Sequence, residues 1–152
     1  KSVIECANGG ARVFGVCHGF QILCESDLLP GALLRNGHQQ FVCKNVFIKA
    51  DSDDIYKIPV AHGEGRYYAD EQTLSKLEAN GQVIFRYCDE NGKISDEANP
   101  NGAINNIAGI CNADRNVFGM MPHPERACSE ALGNTDGRQI IKNLLMAGQL
   151  VG

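Results

Sequence analysis

A chain of 152 residues, 43% hydrophobic and 21% charged, holds enough apolar material for one domain with a real core. Its net charge of −4 and lack of any basic cluster argue against nucleic acid or an anionic membrane surface as a partner. No apolar stretch approaches the roughly 20 residues that cross a bilayer, so no membrane role is expected either.

In chain order, Lys1 opens a charged, helix-like segment rather than the apolar core of a secretory signal. Ser2 to Ala7, followed by Asn8-Gly9-Gly10, predicts a short helix stopped by glycine. The apolar run Ala11 to Phe14 then reads as a buried strand. Helix, glycine cap and strand make the second half of a βαβ unit, so the expectation is a domain lacking its first strands. Leu28-Leu29-Pro30-Gly31 is a turn signal, and Phe41 to Ile48 and Tyr56 to Ala61 are strands around the polar Asp51 to Asp54. That pair predicts an antiparallel excursion beside a parallel sheet. Asp70 caps a helix over Glu71 to Asn80, which Gly81 closes, and Val83 to Tyr87 is the next strand. Asp89 to Asn106 is a long irregular stretch, the kind that is mobile or functional. Ile107 to Cys111 and Val117 to Met121 predict a hairpin, and Asp136 or Gly137 opens a final helix striped by Ile140, Ile141, Leu144 and Leu145.

The seven cysteines stand at 6, 17, 24, 43, 88, 111 and 128, an odd number with no Cys-x-x-Cys pair and no zinc spacing. They read as free thiols of a reducing cytoplasm, with Cys43, Cys88 and Cys111 buried in strands and Cys24 in the core. No metal site is expected.

Cys17 is different. It sits in Gly15-Val16-Cys17-His18-Gly19, between a buried strand and a helix carrying Phe20, Ile22 and Leu23. That is the nucleophile-elbow pattern with a thiol in place of a hydroxyl. The turn forces the nucleophile into a strained conformation, flanking small residues let strand and helix approach, and the helix N-terminus favours thiolate. The partner constellation is Met121-Pro122-His123-Pro124-Glu125-Arg126, at the end of the strand from Val117. A histidine there lies on the same sheet edge as Cys17, with prolines restricting its backbone and Glu125 within reach of its ring. Thiol, imidazole and carboxylate then form a triad in which His123 takes the thiol proton and Glu125 fixes the tautomer.

The segments Gly15 to Gln21 and Pro122 to Arg126 together resemble the class I (triad) glutamine amidotransferases. Leu28 to Gly31, Pro59 to Gly65, Gly119 to Ala127 and Leu132 to Gly137 narrow the resemblance. They point to the small stand-alone glutaminases that serve phosphoribosylformylglycinamidine synthase in purine synthesis. The resemblance implies one type 1 amidotransferase domain over 1–152, an α/β fold with an open, mostly parallel flavodoxin-like sheet. It implies Cys17 as nucleophile, His123 as base and acid, Glu125 as orienting carboxylate and the His18 N–H as an oxyanion donor. Gln21 would hold the glutamine substrate, or else be a polar residue on the elbow helix. Main chain around Gln39 to Phe41 would take the substrate's amino-acid end. The His62-Gly63-Glu64-Gly65 loop is either a tight turn or a site-shaping element facing the partner, and His38 is expected in solvent. The implied partners are L-glutamine, a synthetase subunit that spends ATP, and a small bridging subunit, with no cofactor in this chain. The family's second oxyanion donor lies upstream of the elbow and is not in this sequence. Another α/β cysteine hydrolase, or a non-catalytic module of the same fold, are the alternative readings.

Overall fold

The computed structural model describes residues 2–146. Helix α1 (Val3–Asn8) starts in a capping box: Ser2 Oγ accepts from the Glu5 N–H, and Glu5 Oε2 accepts from the Ser2 N–H. Strand β1 (Val13–Val16) and helix α2 (His18–Glu25) follow, then β2 (Ala32–Leu34), β3 (Val42–Ala50), β4 (Ile55–His62) and β5 (Arg66–Tyr68). Helix α3 (Glu71–Ala79) is capped by Asp70, whose carboxylate accepts from the Thr73 N–H at 2.7 Å. Strands β6 (Val83–Cys88), β7 (Ile107–Cys111) and β8 (Val117–Met120) lead through short 3₁₀ turns to α4 (Asp136–Met146).

Six strands form one sheet in the order β1-β8-β7-β6-β3-β4. The α/β class and the antiparallel excursion hold, but the parallel share is smaller than expected. Among the described residues only β1 and β8 run parallel, and the sheet's other four pairings are antiparallel. Hairpins join β3 to β4 and β7 to β8, and a hairpin reverses the chain, whereas a parallel pair needs a long crossover.

One part of the core lies where α2 packs on β1 and β8. Phe20 and Leu23 of α2 and Leu29 beyond it are buried, and a side chain at Gly119 of β8 would collide with Phe20. β7 and β8 are buried along their whole length, which accounts for their unbroken apolar runs, while β4 alternates buried and outward residues. Cys24, Cys88 and Cys111 are buried, and burial pushes the Cys24 thiol up to about 12.

Cys43 corrects the expectation of burial. It is exposed, because on β3 it points opposite to the buried Val42 and Val46. In α4 the stripe is narrower than predicted: Ile140 is buried and Leu144 half-buried, but Leu145 is exposed. Lys1 lies outside the described residues.

The β2–β5 ribbon has no counterpart in the sequence reading. It holds Tyr67, which stacks on Phe20 with ring centres 5.8 Å apart and donates its hydroxyl to the Pro30 carbonyl at 2.7 Å. The stretch from Asp89 to Asn106 is irregular but pinned by asparagines. Asn99 Oδ1 accepts from the N–H groups of Asn101, Gly102 and Ala103, and Asn106 Nδ2 donates to the carbonyls of Tyr87 and Ser95.

Candidate active site

The elbow is set by the parallel pair. β1 and β8 run in register from Val13 beside Val117 to Val16 beside Met120, and the Cys17 N–H then donates to the Met120 carbonyl at 2.8 Å. Cys17 adopts φ 54° and ψ −108°, the strained backbone the pattern demands, which costs of order 1–3 kcal/mol. Of the two flanking glycines only Gly15 is sterically required. A Cβ there would lie 2.7 Å from the Gly19 backbone and 2.6 Å from Leu23 Cδ1, whereas one at Gly19 meets open space.

β8 ends at Met120, and three residues on His123 turns its ring inward while its N–H donates to the Pro59 carbonyl of β4 at 2.8 Å. The ring is buried. Its Nδ1–H donates to Glu125 Oε1 at 2.5 Å, and its Nε2 is buried with no hydrogen-bond partner among the described residues. A buried ring nitrogen without a partner is costly in an ordinary structural histidine, and here it leaves a free acceptor beside the nucleophile's strand. Glu125 is half-exposed in the first turn of the short 3₁₀ helix, and the non-helical backbone of His123 just before it lets the carboxylate reach back past Pro124 to the ring.

The Cys17 thiol donates to the Ala61 carbonyl of β4 across 3.6 Å. Burial pushes its pKa above the ordinary 9.0, against the pull of the His18 N–H and the Arg126 guanidinium, and Glu125 adds to the rise. The helix N-terminus therefore acts in the expected direction, but burial outweighs it and the resting sulfur is a thiol.

The other predicted residues divide. The His18 side chain is exposed, with Nδ1 3.3 Å from Gln21 Oε1, and its backbone N–H faces the Cys17 sulfur. Gln21 is half-buried and donates onward to Glu25 at 3.1 Å, so the three side chains form a chain along α2. Phe41, 68% exposed, precedes β3 and stands beside Gly63. His38 is exposed but bonded: its Nδ1 accepts from the Gln40 N–H and its Nε2–H donates to the Pro100 carbonyl at 3.0 Å.

His62 and Glu64 point opposite ways. Glu64 is exposed and pairs with Arg35 at 3.6 Å. His62 is buried, donating from Nδ1 to Asn36 Oδ1 at 3.1 Å, while its Nε2 faces Asn101 Nδ2 at 3.4 Å. Asn36 also donates to the Gln40 and His62 carbonyls, and Asn101 to the Gly65 carbonyl and the Tyr87 hydroxyl. Burial holds the His62 imidazole down at about 4, with His123 and His38 as smaller repulsive neighbours. A Cβ on Gly65 would run into that ring, so the second glycine of the loop is the one that fits. Asn36, Asn101 and Tyr87 were not identified from the sequence: each meets His62 or its partners only after distant segments come together.

Among the described residues no group of three or more His, Cys, Asp or Glu is arranged to hold a metal ion, and no helix is long and apolar enough to cross a membrane.

The family model of the CobB/CobQ-like glutamine amidotransferase domain matches residues 6–144. The chain is 48% identical to phosphoribosylformylglycinamidine synthase subunit PurQ of Aquifex aeolicus, over 95% of this chain and 69% of that protein. It is 50% identical to the subunit PurQ of Sulfurimonas denitrificans, over 97% and 69%. The solved structure of PurLQS from Thermotoga maritima superposes with a TM-score of 0.78 at 34% identity, covering 94% of this chain and 65% of that one. The chain thus spans about two thirds of the length of the relatives it matches. On the matched domain, the chain belongs to the CobB/CobQ-like glutamine amidotransferase family.

Proposed function

We infer that this chain is the glutaminase component of phosphoribosylformylglycinamidine synthase, releasing ammonia from glutamine for a synthetase subunit that makes formylglycinamidine ribonucleotide. The observation that carries the reading is the strained Cys17 elbow at the end of β1, beside the strand whose end bears the bonded pair His123–Glu125.

The chemistry follows from the free ring nitrogen. With its Nδ1–H committed to Glu125, the neutral His123 ring carries a lone pair on Nε2 and can take the Cys17 proton. The thiolate attacks the side-chain carboxamide carbon of glutamine, and the carbonyl oxygen becomes an oxyanion that the His18 N–H stabilises. The imidazolium returns its proton to the nitrogen as the C–N bond breaks, ammonia leaves, and a γ-glutamyl thioester remains on Cys17. Water then attacks the thioester with His123 as base, and glutamate and the thiol are regenerated. Thiol, imidazole and carboxylate account for every proton moved, so the reading gives the chain no cofactor or metal of its own.

Gln21 and the main chain by Phe41 hold the glutamine, His62 shapes the mouth from within, and Glu64 faces the partner. Ammonia released into water would be protonated and lose its nucleophilicity, so a synthetase subunit must dock over the mouth, with a small bridging subunit completing the complex. ATP is spent by that partner, and the complex works in the cytoplasm. The test is transfer of label from amide-¹⁵N glutamine into formylglycinamidine ribonucleotide by the assembled complex. Cys17→Ala should abolish transfer while free ammonia still supports synthesis. Retained transfer with Cys17→Ala would overturn the reading.

A further inference from the structure

We propose that Asn134 and Asp136 are positioning residues for the triad, acting through the free edge of β4. Among the described residues, β4 is the outermost strand of the sheet and pairs only with β3. Antiparallel pairing turns the backbone groups of alternate residues away from the partner strand. On β4 the outward ones are Ile55, Lys57, Pro59 and Ala61, and the last three are engaged. The Lys57 N–H donates to Asp136 Oδ2 at 2.8 Å, and the Lys57 carbonyl accepts from Asn134 Nδ2 at 2.6 Å. Pro59 has no N–H to strand at the edge, and its carbonyl accepts from the His123 N–H at 2.8 Å. The Ala61 carbonyl accepts the Cys17 thiol.

One strand edge therefore spaces three things: a side-chain clamp, the base and the nucleophile, at intervals of about 7 Å. The clamp is braced internally, since Asn134 Oδ1 accepts from the Asp136 N–H at 3.0 Å. It also adjoins the residue that follows the base. The next residue, Gly137, lies so close to Pro124 that any side chain there would collide with the Pro124 backbone. Neither Asn134 nor Asp136 is bonded to His123 or Cys17, so their effect runs through the backbone. Releasing them lets the His123–Pro124 segment slip along β4 relative to the sulfur.

The proposal rests on the glutaminase reading only for its turnover arm. Asn134→Asp removes the donor to Lys57 but keeps the acceptor for Asp136. Asp136→Ala removes the acceptor for Lys57, and Asp136→Asn keeps it. In the assembled complex, kcat and KM for glutamine are measured alongside the rate at which iodoacetamide labels Cys17. Labelling is read peptide by peptide, with the exposed Cys43 as internal reference. Asn134→Asp and Asp136→Ala should lower kcat by about 10- to 100-fold with KM little changed, the scale of an ångström-sized misplacement. Because the Ala61 carbonyl that holds the thiol lies on the same clamped edge, the Cys17-to-Cys43 labelling ratio should shift as kcat falls, and Asp136→Asn should restore both. Unchanged kcat and labelling with only a lowered melting temperature would overturn the proposal, as would Asp136→Asn failing as badly as Asp136→Ala. If the unaltered protein, assembled with its synthetase and bridging subunits, releases no ammonia from glutamine, the glutaminase reading fails, and the labelling ratio alone decides the clamp.

Discussion

The Cys17 thiol is bonded not to His123 but to the Ala61 carbonyl, 3.6 Å away on a strand that does not neighbour its own. Burial raises the thiol pKa above 9.0, so at neutral pH the substrate-free nucleophile is protonated. Alkylation of Cys17 by iodoacetamide should therefore climb with pH and inflect above 9.0. An inflection below that value would mean that His123 already holds the proton at rest.

Glu125 is half-exposed, unlike a fully enclosed triad carboxylate, and water screens part of its charge. Glu125→Gln keeps an acceptor for the His123 Nδ1–H but loses the charge that stabilises the imidazolium. Its kcat should fall by about 10²-fold. His123→Ala removes the base itself and should cost about 10⁴-fold or more. Steady-state ammonia release on the two variants gives the ranking directly.

His62 makes a stability prediction with a definite sign. Its imidazole titrates near 4 in the folded protein and near 6.5 when free, so acid protonates the unfolded chain first. The contribution of neutral His62 is present above pH 6.5 and lost as pH falls towards 4, at most of order 3 kcal/mol. Urea midpoints measured across that window should drop less steeply in His62→Gln than in the unaltered protein.

The glycines give a contrast within one motif. Gly15→Ala drives a methyl into the Gly19 backbone and Leu23, and should cost about 1–3 kcal/mol together with most activity. Gly19→Ala meets nothing and should leave the melting temperature nearly unchanged. Thermal unfolding of the two variants separates the required glycine from the permissive one.

What could be read from the sequence was local. The elbow needs its residues consecutive, and Glu125 reaches His123 across one intervening proline, so both were visible in short windows. The hairpins and the α3 cap were visible for the same reason. The β2–β5 ribbon was not, because three-residue strands such as Ala32–Leu34 carry too little alternation to register. The partners of His62 lie at residues 36 and 101, and those of Lys57 at 134 and 136, so nothing near either residue announces them. The Phe41 to Ile48 run marked a strand but not which of its faces was inward, and Cys43 fell on the outer one.

The central claim is that Cys17 attacks the carboxamide of glutamine. The most direct measurement is mass spectrometry of the protein after exposure to 6-diazo-5-oxo-norleucine, a glutamine analogue that alkylates the attacking nucleophile. One adduct is expected, on the peptide holding Cys17, with glutamine protecting against it and the other six cysteines untouched. An unmodified Cys17 in a protein that still releases ammonia from glutamine would contradict the claim.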